Sequence, residues 1–248
     1  MAARHDTNKG ERPLVWERPE PPNRPTPSPL SRDRIVRAAI ELADADGLGE
    51  VSLRKVAAVL DAGPMRLYGY VATKEELLDL MVDAVYAEIT PPEPTGADWR
   101  ATLRSLAHRT RQAAQRHEWF VDLLGGRPHI GPNALAHLEA TTSALDGAPN
   151  FDDIDTVMRA AGIVHSYTLG ALRAEITERR AERASGMSEQ QWQTTSGPYI
   201  TRMLATGRYP TLARALHDAT HPGTDATFEV GLDCVLDGIA ARLGTRRR

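Results

Sequence analysis

The chain has 248 residues, 30 Lys and Arg against 33 Asp and Glu, a formal net charge of −3 and one cysteine, Cys234. That charge excludes an indiscriminate nucleic-acid coat, and a lone cysteine excludes an intramolecular disulfide and fits a reducing cytosol. Hydrophobic residues at 41% and charged residues at 25% are ordinary for a globular chain, no apolar run reaches the ~18 residues of a membrane span, and no leader pattern opens the sequence. A cytoplasmic location with no membrane partner is expected.

Residues 1–30 are rich in Pro and Arg ("ERPLVWERPEPPNRPTPSPL") and cannot build a core, so a flexible or polyproline-like extension is expected. Trp16 could anchor to a partner or to the protein's own body, or stand exposed. Arg4, Arg12, Arg18 and Arg24 could reach a DNA backbone, although Glu11, Glu17 and Glu20 nearly cancel them. From Ser31 the pattern becomes helical. "SRDRIVRAAIELADADG" sets Ile35, Ala38, Ala39, Leu42 and Ala43 on one face, with Ser31 as N-cap and Gly47 as stop. "VSLRKVAAVLDAG" repeats this with Ser52 as cap, Leu53, Val56, Ala57 and Leu60 as its face, and Gly63 at its end. Pro64 suits the first turn of a third helix, expected over 64–71. Thr73 caps a fourth, with Glu75 and Glu76 in its first turn and a stripe of Leu77, Leu78, Met81, Val82 and Val85.

"TPPEPTG" at Thr90–Gly96 reads as a domain boundary. Beyond it helical segments continue: "ADWRATLRSLAHRTRQAAQRH", "EWFVDLLGG", "GPNALAHLEATTSALDG", a long one over Asp152–Ser185, "SEQQWQTTSGPYITRMLATG", "PTLARALHDA" and "ATFEVGLDCVLDGIAARLG". Strand signals are absent. The expected fold is all-α: residues 1–30 an extension, 31–90 a three-helix helix-turn-helix domain, and 91–248 a larger helical domain.

Two short helices joined by a tight turn at Asp61–Gly63 form a helix-turn-helix, whose second helix enters a major groove. The residues suit that task. Arg66 can bind guanine bidentately, and Met65 and Pro64 can touch thymine methyls. Tyr68 and Tyr70 can donate to phosphates, Gly69 permits close backbone approach, and Arg54 can reach a base or phosphate. Lys74 and the amides at the start of the fourth helix can grip a phosphate, and Ser52 opens the preceding helix at the same edge. Between Val51 and Lys74 the ionised residues are Arg54, Lys55, Arg66 and Lys74 against Asp61, while the flanking helices are acidic. The same shape also occurs within ordinary helical bundles, where Tyr68 would be a core aromatic.

The pattern Gly47, Ala57, Leu67-Tyr68, Tyr70, Lys74 and Leu77-Leu78 resembles the DNA-binding domain of the TetR family of repressors. The resemblance implies phosphate contacts by Tyr68 and Lys74 and base contacts by Pro64, Met65 and Arg66. Asp61 departs from the Gly usual at the corner, and an Asp tolerates a left-handed conformation there. "LLGGRP", "YTLG", "SGPYITRMLATGRYPTLARAL" and "FEVGLDCVLDGIAARL" look like segments of the tetracycline-repressor branch. They imply a C-terminal domain for ligand binding and dimerisation, with Asp152–Ser185 and Asp225–Leu243 as the dimer helices and Gly162, Gly170, Gly231 and Gly238 allowing close approach.

In that branch a His immediately before the equivalent of "LGGRP" binds a metal carried by the drug. Leu123 stands there, which argues against a magnesium-chelated tetracycline and for a more apolar pocket. By analogy Leu106, Thr110 and Leu123 line the pocket, His165 adds a polar group, and Arg127 and Pro128 lie in a loop that moves on induction. Each could equally be ordinary core. His217 and His221 have a metal-like spacing, but Pro222 ends the helix between them and the next segment. No catalytic constellation or nucleotide motif is present, so no enzyme, cofactor or metal is expected. The expected function is a homodimeric repressor, released from a palindromic double-stranded DNA operator by a small-molecule effector. The rivals are a DNA-binding activator or architectural protein without a ligand, and an all-α enzyme.

Overall fold

A computed structural model of the chain describes residues 13–22, 29–89, 98–149, 151–220 and 222–242. The expected boundary at Thr90–Gly96, Arg4, Glu11, Arg12, Arg24, His221 and Leu243 lie outside the described residues. Among those described the chain is helical throughout, with no strand.

The first helix, α1, spans Arg32–Asp46; Ser31 accepts from the Arg34 amide, and Gly47 stops it at φ 86°. Helix α2 spans Leu53–Val59 and is opened by Ser52, whose hydroxyl accepts from the Lys55 amide at 3.2 Å. It ends earlier than Gly63. Asp61 takes the left-handed turn, with φ 48°, and Gly63 instead precedes the next helix in extended conformation. Helix α3 is Pro64–Leu67, one turn shorter than the sequence predicts. The Gly69 and Tyr70 amides bond three residues back, to Arg66 and Leu67, so the chain tightens around Gly69 instead of continuing as α-helix. Helix α4 runs Lys74–Ile89; Thr73 accepts from the Glu76 amide while Glu76 accepts from the Ala72 amide at 2.7 Å.

The remaining helices are α5 (Trp99–Arg116), α6 (Phe120–Leu123), α7 (Pro132–Ser143), α8 (Ile154–Ser185), α9 (Glu189–Leu204), α10 (Pro210–Asp218) and α11 (Thr224–Arg242). Two cores form. One joins α1–α4 to the near ends of α5–α8, from Ile35, Leu67, Leu77 and Met81 to Phe120 and Leu172. The other packs α5, α8 and α11 through Leu103, Val157, Phe228, Leu232 and Leu236. Arg111 ties these three helices together. Its Nε donates to Glu175 at 2.8 Å and its Nη2 to Asp225 at 2.6 Å, and its guanidinium lies 4.8 Å from the Phe228 ring. Helices α9 and α10 bury no residue, and Trp192, Tyr199, Leu212 and Leu216 stand exposed on them.

Polar contacts fix α1 and α4 to the larger helical body. Asp44 on α1 accepts from Trp119 Nε1 at 2.7 Å and meets His117 Nδ1 at 2.9 Å, and Glu88 on α4 meets the other ring nitrogen at 3.2 Å. Asp83, buried on α4, accepts from the Asn133 and Ala134 amides at 3.0 and 2.9 Å and from Asn133 Nδ2 at 2.8 Å. A carboxylate of the fourth helix thus caps the N-terminus of α7.

Residues 13–22 of the extension, where a flexible or polyproline-like segment is expected, lie against the helical body. Val15 is buried, and Arg18 forms an ion pair with Glu76. Arg32 donates to the Arg18 carbonyl at 2.6 Å, and Trp16 packs at Gly131 beside Asp83. Trp16 is therefore an anchor on the protein's own body, and Arg18 is engaged with α4 rather than offered to DNA.

Replacing Asp83 with Ala leaves two buried amides unpaired, and should cost on the order of 2–3 kcal/mol. For a chain of this size that lowers Tm by roughly 5–10 °C. Gly131→Ala should act in the same direction, because a Cβ there would overlap the Asp83 carboxylate and meet Trp16 at 2.8 Å. Thermal unfolding followed by circular dichroism checks both; an unchanged Tm would remove the importance given to this junction.

Candidate DNA interface and effector cavity

Leu67 is fully buried and pins α3 to α1, α2 and α4, so the residues around it are forced outward. Pro64, Met65, Arg66, Tyr68 and Gly69 are exposed, Met65 at 80% and Tyr68 at 47%. An apolar side chain at 80% exposure on a helix held by its neighbour is not core packing. Arg54 is exposed on α2, and Lys74 is half-buried at the start of α4. Neither Arg54 nor Arg66 has an ion-pair partner among the described residues, whereas Lys55 pairs with Glu50. Ser52 spends its hydroxyl on the α2 cap.

Two expectations change here. Tyr70 is only 5% exposed and belongs to the first core, so it is not a surface phosphate donor. Residues two apart in a helical turn point to opposite faces, and with Tyr68 outward Tyr70 must turn in. Gly69 does permit a close approach, but the partner seen is Pro21: a Cβ at Gly69 would meet Pro21 Cγ at 3.2 Å.

A cavity of about 670 Å³ lies among α4, α5, α7, α8 and the loop after α6. Leu106, Thr110, Arg127 and His165 line it as expected. Leu123 does not. It packs against the first core, and its carbonyl meets His129 Nε2 at 3.0 Å, while the extended Leu124 faces the void. Helix α6 is a single turn, so a one-residue shift at its end reverses which side chain points inward. Thr110 also turns its hydroxyl to its own helix, donating to Leu106 at 2.8 Å.

Among the lining residues that escaped the sequence reading are Tyr86, His137, Thr168 and Arg173. Tyr86 comes from α4 and stacks 5.2 Å from His137 and 5.4 Å from Phe120. Burial, with Asp83 nearby, pushes its hydroxyl pKa up to about 12. Burial also holds the His137 imidazole down to about 4, so it is neutral near pH 7. Thr168, Leu169 and Leu172 follow His165 at three- and four-residue steps, a helical face that could have extended the site from that one residue.

The family profile described as "Tetracyclin repressor-like, C-terminal domain" matches residues 90–243. The HTH-type transcriptional repressor DrrR1 of Streptomyces coeruleorubidus is 35% identical over 94% of this chain and 86% of its own length. The chain belongs to the TetR family. An HTH-type transcriptional regulator of Saccharopolyspora erythraea is 38% identical over 96% of both chains. The crystal structure of the Streptomyces coelicolor TetR family protein ActR in complex with actinorhodin superposes with TM-score 0.74 at 26% identity, covering 88% of this chain and 98% of that one. The all-helical TetR architecture, an N-terminal helix-turn-helix domain and a C-terminal helical domain, is thereby established for this chain. Among the described residues no helix is long and apolar enough to cross a membrane.

The opposed placements of the two tyrosines in this TetR head make a direct comparison. Tyr70→Ala empties a packed core site and should cost about 3 kcal/mol or more, whereas Tyr68→Ala should stay within about 0.5 kcal/mol of the parent. Urea unfolding of both variants measures this, and equal losses would contradict the assignment of Tyr70 to the core and Tyr68 to the surface.

Proposed function

We propose that this TetR-family chain is a cytoplasmic, homodimeric transcriptional repressor that leaves a palindromic operator when a small molecule occupies the α4–α8 cavity. The observation that carries the reading is α4 itself. It begins at Lys74 beside the exposed α3 and places Tyr86 in the cavity wall. At 1.5 Å per residue its sixteen residues span roughly 24 Å. One rigid element therefore touches both places. The names of its relatives support the reading: DrrR1 is a repressor, and ActR forms a complex with actinorhodin.

In this reading Pro64, Met65 and Arg66 meet base edges in one half-site, with Tyr68, Lys74 and the first amides of α4 on phosphates and Arg54 alongside. The domain boundary is placed at Thr90–Gly96 on the sequence pattern. A second copy would cover the exposed apolar residues of α8 and α11, among them Ile154, Met158, Ile163 and Val230. Gly162, Gly170 and Gly238 leave open space beside their backbones, which lets a partner helix come close. Dimer symmetry then sets the half-site spacing. A ligand that packs against Tyr86 in only one orientation of α4 shifts the population by no more than its preference for that orientation. No observation favours a catalytic use of the cavity.

The test is a fluorescence-anisotropy titration of a palindromic duplex taken from the DNA upstream of the gene. Lys74→Ala and Tyr68→Phe should weaken binding to every sequence, Lys74→Ala with a salt slope smaller by about 1. Arg66→Ala should relax specificity at one base pair, costing about 1–3 kcal/mol on the preferred base. Unchanged affinity and specificity in all three variants would overturn the interface.

A further inference from the structure

The wall of the cavity contains Arg127, Arg173, His129, His137 and His165 and, among the described residues, no Asp or Glu. The chain as a whole carries more acids than bases, 33 against 30, so composition does not account for that imbalance. His129 has a carboxylate on its outer side, Asp79 at 3.8 Å. The two arginines do not: Arg173 donates to the Leu124 carbonyl at 2.6 Å, and neither has an ion-pair partner among the described residues. Both are exposed, Arg173 about two turns beyond His165 on α8. Burial first, and then the nearby Arg173, hold the His165 imidazole below its ordinary range, as burial and then His165 do for His137. The two guanidiniums at the rim are therefore left without a carboxylate partner among the described residues, while the imidazoles behind them are held towards their neutral form.

The interior end has a different deficit. Thr168 is 5% exposed, yet its hydroxyl has no hydrogen-bond partner, and Nδ1 of His137 is also buried without one. Buried polar atoms are paired in more than nine cases of ten, and each unpaired one costs stability. Both residues line the void, so whatever fills it faces a hydroxyl and a neutral imidazole. Between the two ends the wall is apolar, with Leu103, Leu106, Val164, Leu169 and Leu172.

We infer that the cavity takes an amphipathic organic anion, with its acidic group at Arg173 and Arg127 on the rim, an apolar body along α5 and α8, and a neutral oxygen at Thr168 and His137 inside. This rests on the cavity being the effector site proposed above, and adds the chemical class of the effector. A carboxylate or ionised phenol would gain charge-assisted bonds from a guanidinium that has no carboxylate partner of its own. A cationic compound would meet uncompensated like charge at the entrance.

Isothermal titration of the full chain with 9-fluorenone-2-carboxylate and with its uncharged 2-carboxamide separates the contributions. Both carry an apolar tricycle and a ketone oxygen. The acid should bind at least about tenfold more tightly than the amide. Arg173→Gln should abolish that preference, and Arg173→Lys, which keeps the charge, should retain most of it. Thr168→Val removes only an unpartnered hydroxyl, so it should leave Tm unchanged or higher and weaken both compounds severalfold with the preference intact. Equal affinity for the two compounds, no binding of the acid, or a preference that survives Arg173→Gln would overturn the inference. Acid that binds with this pattern yet leaves the protein on its operator duplex would count against ligand-driven release and leave the anion site standing.

Discussion

The buried carboxylate of Asp83 sets the relation between the two halves of the molecule. It cannot stay dry without donors, and the donors it has are the first amides of α7. Sliding α4 past α7 would strand those groups together, so the junction has few permitted positions rather than a continuum. Gly131 is required because the carboxylate and the Trp16 ring occupy the space a Cβ would need. The contacts of Asp44 and Glu88 with His117 add a second fixed point at the far ends of α1 and α4.

With α4 held in this way, its other side chains acquire their roles. Leu77, Met81 and Val85 belong to the core that supports the helix-turn-helix, and Tyr86 reaches the cavity. In the proposed function, a head carried on so short a lever would need no long chain of contacts to respond to a ligand, because α4 reaches both places. The folded part of the extension lies on the same junction. Pro21 touches Gly69, Arg18 pairs with Glu76, and Trp16 packs at Gly131, so a segment outside the helix-turn-helix braces both the reading helix and α4.

Polarity in the cavity follows a different rule from polarity in the cores. Arg111 is buried, but Glu175 and Asp225 compensate it, which makes it a fastener for α5, α8 and α11. Arg173, the residue after Leu172 on the long helix α8, has no such carboxylate among the described residues. A core arginine that two carboxylates compensate thus contrasts with a rim arginine bonded only to a backbone carbonyl among the described residues.

The sequence by itself determined the elements and the exposed reading surface. Caps at Ser31, Ser52 and Thr73, Pro64 at a first turn and periodic apolar faces are local signals, carried by residues within a few positions of one another, and the structure uses all of them. The family pattern from Gly47 to Leu78 is likewise local. Tertiary packing alone decided that Tyr70 turns inward while Tyr68 stays out, that Leu124 rather than Leu123 meets the cavity, and that residues 13–22 pack against α4. It also brought His137, Thr168 and Arg173 to one void and left carboxylates out of its wall. These outcomes depend on distances between segments tens of residues apart, and on whether a buried polar atom finds its partner there, which no local pattern encodes.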